Sequence, residues 1–159
     1  MCLENKYDDP VFFEKYAQMD RSRLGLEGAG EWQTLQAMIP PLQGKDLLDL
    51  GCGYGWHCRY AVQQGAKSVV GVDLSEKMLR TAREKTHGMP VCYLHMPMEE
   101  IDFAPERFDG VLSSLALHYV EKIEPVFQKV YQCLRPGGFF LMNVEHPVFT
   151  AQGSQDWVY

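Results

Sequence analysis

Three features of the chain predict an α/β fold with a doubly wound, mostly parallel sheet. Short apolar runs alternate with helical patterns over residues 46–144. The runs lack strict polar alternation, as expected of strands covered on both faces. A glycine-rich turn closes the first run just before a helix-like segment, where such sheets hold their ligands.

The elements follow in order. In residues 1–41, aromatics and charges mix in VFFEKYAQMDRSRLG (11–25), and Trp32, Leu35 and Ile39 mark a helix that ends at Pro40-Pro41. This helical segment either covers the ligand crevice or packs on the sheet; periodicity does not say which. DLLDL (46–50) reads as the first strand and 54–64 as its helix. SVVGVD (68–73) is the second, followed by a helix over 75–86 with Ser75 as N-cap and Met78, Leu79 and Ala82 on one stripe. VCYL (91–94) is the third, joined by a short connection to FDGVLSSL (108–115). Val120, Ile123, Phe127, Val130, Tyr131 and Leu134 then fall at helical intervals over 121–134. RPGG (135–138) breaks that helix and turns the chain into the last strand, GFFLMNV (138–144). Strand–helix–strand repetition implies parallel pairing with right-handed crossovers.

Composition narrows the function classes. The hydrophobic share of 46% is that of a folded protein, so residues 1–159 are expected to form a single domain. A formal charge of −6 disfavours nucleic-acid and anionic-membrane surfaces, which want clustered Lys and Arg. No apolar run approaches 18 residues, and MCLENKYDDP carries no signal region. Five cysteines without a C-x-x-C pair read as reduced thiols, so the expected compartment is the cytoplasm. Cys52, His57 and Cys58 lack a second ligand pair at a zinc interval, so no metal site is expected.

The glycine turn carries the chemistry. Dinucleotide loops read G-x-G-x-x-G, but position 56 is Trp56, and the pattern here is Asp49-x-Gly51-x-Gly53-x-Gly55. An acid two residues before the first glycine does nothing for a pyrophosphate but suits a ligand with an ammonium group. Asp73, eighteen residues past Gly55, ends the second strand, where a carboxylate can accept both hydroxyl hydrogens of a ribose. The ligand so described has a ribose, an amine and a carboxylate.

DLGCGYG (49–55), GVDLSEKML (71–79), FDGVLSSLALHYV (108–120) and LRPGGFFLMNVEHP (134–147) resemble, in order and spacing, the class I S-adenosylmethionine-dependent methyltransferases. The likeness is greatest to their small-molecule group and spans residues 40–147. It implies a Rossmann-like sheet of strand order 3-2-1-4-5 under an N-terminal helical cover, and S-adenosyl-L-methionine as cofactor. By the same resemblance, Gly51 and Gly53 let the backbone close on the methionine part and Asp49 helps to hold its amino group. Asp73 takes the ribose hydroxyls and Leu74 packs on the adenine. Pro97 stands where the family commonly has an acid, leaving Met98 and Glu99 to the adenine edge. Ser114 and Leu115 line the methionine end, and Tyr16 and Arg21 reach the cofactor from the N-terminal cover.

Methyl transfer from a sulfonium needs positioning and desolvation more than a triad. His118 is the candidate catalytic residue, against a rival role as a hydrogen-bonded residue at a helix start; Glu145 and His146 also lie near the strand ends. SSLA (113–116) replaces the Asn/Asp-Pro-Pro-aromatic signature of exocyclic-amine DNA methyltransferases, so the expected partner is a small-molecule acceptor, with no nucleic acid and no membrane. A cofactor-binding module without turnover and a nicotinamide-dependent dehydrogenase are the alternatives. The resemblance also implies a final hairpin of strands beyond the fifth, whereas only fifteen residues follow Val144. The expectation is therefore a C-terminally incomplete domain with 145–159 as its tail, or a homodimer that covers the open sheet edge.

Overall fold

The computed structural model describes residues 5–146 and 148. Five parallel strands, β1 (Asp46–Leu50), β2 (Ser68–Asp73), β3 (Val91–His95), β4 (Phe108–Ser114) and β5 (Leu134–Asn143), form one sheet of order β3-β2-β1-β4-β5. The expected order is therefore observed. Three helices are the crossovers: α4 (Trp56–Gln63), α5 (Glu76–Lys85) and α6 (Ile123–Cys133). Ahead of the sheet come α1 (Pro10–Ala17), α2 (Asp20–Arg23) and α3 (Trp32–Met38).

The pleat of β1 divides the core. Leu48 and Leu50 face one side, where Val70, Val72 and Val111 pack with Val126, Val130 and Cys133 of α6. Leu47 faces the other, with Val69, Cys58, Ala61 and Leu79. Both faces of β1 are covered and all five of its residues are buried, Asp46 and Asp49 included. The Ser75 hydroxyl accepts from Met78 N at 3.1 Å, and Met78, Leu79 and Ala82 are the buried stripe of α5, as expected. The α6 stripe differs: Tyr131 is 82% exposed, because Val126, Val130 and Cys133 take the buried positions.

The RPGG turn also departs from expectation. The β5 ladder begins at Leu134 itself, opposite Phe108, and resumes at Phe139 opposite Gly110. Residues 135–138 bulge out between these pairs, with Gly137 at a φ of 78°. Arg135 anchors the bulge: its Nη1 donates to Asp109 Oδ2 at 2.6 Å and to Asp46 Oδ2 at 3.2 Å. Asp109 Oδ2 also accepts from Asp46 N, and Asp46 Oδ1 from the Ser68 hydroxyl, so the amino ends of four strands share one polar cluster. No described helix is long and apolar enough to cross a membrane.

Candidate cofactor cleft

At the carboxyl ends of the strands the order reverses between β1 and β4, and there a cavity of about 530 Å³ opens. Small-molecule sites fall at roughly 300–1,000 Å³. The floor is the turn after β1. Gly51 N and Cys52 N both donate to Val72 O, at 2.8 and 3.0 Å, which folds the turn across the end of β2. Gly51 has a φ of 72°, and a Cβ there would collide with the Cβ of Ala116. Gly53, at φ 51°, has nothing within 4 Å of where a Cβ would stand, so its bare main chain faces open space.

Asp73 ties this floor together. Its Oδ2 accepts from Gly53 N at 2.8 Å and its Oδ1 from Ser75 N at 2.9 Å. Each oxygen keeps a lone pair for a further donor, and Asp73 lines the cavity. Burial holds its carboxyl above the ordinary value, opposed by those two N–H bonds. Asp73 thus joins the glycine turn to the start of α5.

Asp49 behaves differently. It is the one member of the expected cofactor set that does not line the cavity. Strand alternation puts its side chain on the Leu47 face, under the turn, where the Cys58 thiol donates to Oδ2 at 3.3 Å. It is 2% exposed, and burial, with a smaller push from the charge of Asp73, raises its carboxyl to about 7. The ring of His57 meets that of Trp32 at 5.7 Å between centroids. Burial lowers the imidazole to about 4.

The remaining expected residues come together around the cavity. Leu74 lies beside Asp73, and Pro97, Met98 and Glu99 approach from the turn after β3. The Met98 methyl would lie 3.3 Å from a Cβ on Gly51. Ser114 and Leu115 close the end of β4, and Leu115 holds a left-handed φ of 52° while its N–H donates to Asn143 O at 2.9 Å. That conformation costs a leucine about 1–2 kcal/mol and turns the chain so that Ala116 packs on Gly51. His118 lines the cavity from the short turn Leu117–Tyr119, and its buried Nδ1 has no partner among the described residues. Nδ1 is thus not the bonded helix-start group of the rival reading. Glu145 lines the cavity; His146 does not, and its Nδ1 accepts from Val148 N.

From the N-terminal cover, Tyr16 and Arg21 reach the cavity. The Arg21 guanidinium is already engaged by both oxygens of Glu31, each at 3.0 Å. Sequence reasoning missed Tyr7, Phe12 and Tyr119, which also line the cavity. Tyr7 stands edge-on to Phe12 at 5.1 Å, to Tyr16 at 5.2 Å and to Tyr119 at 6.1 Å. The cluster of aromatics in YDDPVFFEKY (7–16) was the available signal.

These residues fit the expected group. Bare main chain at Gly53 and a two-armed acceptor at Asp73 suit a ribose and an amino acid end. The apolar Val72, Leu74 and Met98 suit a flat ring. A pyrophosphate finds three cleft carboxylates, Asp73, Glu99 and Glu145, and a guanidinium already paired.

Comparison with known proteins agrees. A family model described as a methyltransferase domain matches residues 48–142. A Listeria monocytogenes protein assigned as an S-adenosylmethionine-dependent methyltransferase is 51% identical, with a TM-score of 0.79 over 84% of this chain and 60% of its own. An uncharacterised Haemophilus influenzae protein is 36% identical over 91% of this chain, which spans 59% of that relative's length. A tRNA U34 carboxymethyltransferase of Methylococcus capsulatus is 34% identical over 71% of this chain and 36% of its own. A malonyl-[acyl-carrier protein] O-methyltransferase of Enterobacter lignolyticus is 36% identical over 66% and 41%. With this cleft on this sheet, and with the family match covering more than half of its length, the chain belongs to the class I S-adenosylmethionine-dependent methyltransferases.

Proposed function

We propose that the protein moves the methyl group of S-adenosylmethionine to a small-molecule acceptor in the cytoplasm. The observation that carries this reading is the pairing of Asp73 with the bare main chain of Gly53 on an open cavity. Asp73 accepts the ribose hydroxyls, Leu74 and Met98 flank the adenine with Glu99 at its edge, and Gly51 and Gly53 receive the methionine part. Ser114, Leu115, Tyr16 and Arg21 enclose that end, and Asp49 acts on the amino group from beneath the turn. The cofactor supplies a methyl on a sulfonium, which is its own leaving group. The chain's residues then position and desolvate the acceptor, and His118, which lines the cavity, takes its proton.

A small acceptor is favoured over tRNA by the charge of the cleft. Its carboxylates Asp73, Glu99 and Glu145 face one guanidinium, which Glu31 neutralises. A polyphosphate strand gains nothing from such a wall.

Calorimetry with S-adenosylhomocysteine and NAD, each on wild type and Asp73→Ala, tests the reading. S-adenosylhomocysteine should bind wild type, and at about 100 times its Kd it should stabilise the fold by roughly 2.7 kcal/mol. Asp73→Ala should weaken it about 10- to 100-fold. NAD binding without S-adenosylhomocysteine binding at millimolar ligand would sink the assignment.

A further inference from the structure

The N-terminal segment makes a set of bonds that the reading above leaves without a role. From Asn5 to Asp8 the chain joins the start of α5 to the connection after β4, and Asn5 and Tyr7 line the cleft on the way. At one end, Asn5 Nδ2 donates to Leu74 O at 3.0 Å and to Asp8 Oδ2 at 2.7 Å. Asp8 Oδ1 accepts from the Ser75 hydroxyl at 2.6 Å and from Lys77 N at 3.3 Å. Lys77 Nζ donates to Asp8 O at 2.6 Å and stands 5.7 Å from the ring centre of Phe13. At the other end, the hydroxyls of Tyr7 and Tyr119 lie 3.0 Å apart. Against the cost of partial burial, the bonds from Ser75, Lys77 and Asn5 hold the Asp8 carboxyl below its ordinary value.

We propose that residues 5–8 are a strap closed over the cofactor cleft, and that Asp8 is its latch and a positioning residue for the turn that carries Asp73 and Leu74. The inference rests on the cofactor reading of that cleft. Its logic is one continuous run of hydrogen bonds. Asp8 holds Ser75, Asn5 holds Leu74, and Asp73, the last residue of β2, holds both Ser75 and Gly53. A ligand resting on Asp73 and Leu74 fixes the turn in the form that the latch requires, and the closed latch fixes the floor for the ligand. Such coupling is reciprocal by thermodynamic necessity. Asn5 and Tyr7 of the strap line the cavity, so opening of the latch speeds both entry to that floor and release from it.

Stopped-flow binding of S-adenosylhomocysteine to the full chain, together with amide exchange of the ligand-free protein, tests the latch. Asp8→Ala should speed release about tenfold and also speed entry, with faster exchange at Lys77 and across α1. Asp8→Asn keeps an acceptor oxygen for Ser75 and should recover part of the loss. Asp9→Ala is the control: it removes the cap bond that Phe12 N donates to Asp9 Oδ1 (2.8 Å) and loosens α1 without touching α5. Its release rate should stay within about twofold of wild type. Equal acceleration by Asp8→Ala and Asp9→Ala, or unchanged release in Asp8→Ala, overturns the proposal. If wild type binds no S-adenosylhomocysteine, the cofactor reading fails instead. The latch is then judged on exchange alone, and unchanged Lys77 exchange in Asp8→Ala overturns it.

Discussion

On the β1–β2 rim, the wall of the cleft is main chain: Gly51 and Gly53 in the left-handed region, locked to Val72 O and Asp73. On the opposite rim, made by the N-terminal segment and the connection after β4, the wall is side chains: the rings of Tyr7, Phe12, Tyr16 and Tyr119. The first rim is fixed by backbone conformation and hydrogen bonds, and at Gly51 a single methyl group would collide with Ala116. The second rim rests on ring contacts worth about 0.5–1.5 kcal/mol apiece and on the Asn5 and Asp8 bonds to the start of α5. It can open and reclose without disturbing the sheet, as a wall over a ligand must. The difference separates a rigid floor from a movable cover.

Gly51→Ala is the harshest attack on the floor. The new methyl meets the Cβ of Ala116 at a φ of 72°, so left-handed strain adds to overpacking. Urea unfolding should show a loss of about 2–5 kcal/mol, with binding of S-adenosylhomocysteine lost by at least about a hundredfold. Near-normal stability would mean that the floor gives way more easily than its geometry implies.

Asp49 sharpens the comparison through pH. Burial raises its carboxyl to about 7 in the folded chain, whereas an unfolded carboxyl titrates near 3.9. Between those values the native state keeps a proton that the unfolded state has released. Stability from this site is therefore greatest below about pH 4, falls as pH rises, and is fully lost above about pH 7. The loss is on the order of 2–4 kcal/mol across that window. Asp49→Asn should flatten that part of the stability–pH profile and leave the variant more stable than wild type at pH 8. An unchanged slope would assign the titration elsewhere.

The smallest effect belongs to the cover. Phe12→Ala removes two ring contacts, to Tyr7 and Tyr16, and should lower stability by about 1 kcal/mol. That corresponds to roughly 2–4 °C in Tm by calorimetry. A loss as large as that of Gly51→Ala would show that the two rims are equally rigid.

The same division explains what could be read from the chain. The Ser75 cap and the placement of Gly51, Gly53 and Asp73 were legible, because each depends on local pattern and on conformations that few residues adopt, whereas the strand order came from the family resemblance. Asp49 was legible as a candidate acid, but its position beneath the turn was not. Its identity suggested an ammonium partner, but alternation along β1 decides its direction, and Cys58 waits on that side. Tyr131 matched the helical stripe yet points to solvent, since α6 has a better apolar face one position away. The strap was illegible for a different reason. Asp8 finds Ser75 and Lys77 across 67 and 69 residues of chain, and no local rule announces such a partner.

Arg135 and its two carboxylates bear on how the last strand finds its place. GFFLMN has large apolar groups on successive positions, so sliding by one residue would exchange one greasy face for another with little penalty. The bulge at 135–138 removes that freedom. A guanidinium clamped between Asp46 and Asp109 allows one alignment, and any slip would drag a charge away from both partners. That alignment brings the Asn143 carbonyl to the Leu115 amide at the far end of the strand. The accuracy of the cleft is thus set about a strand's length away, by a charge at the opposite edge that never meets the ligand. A substitution at Arg135 would act as an indexing error, with a well-packed sheet and a misaligned site.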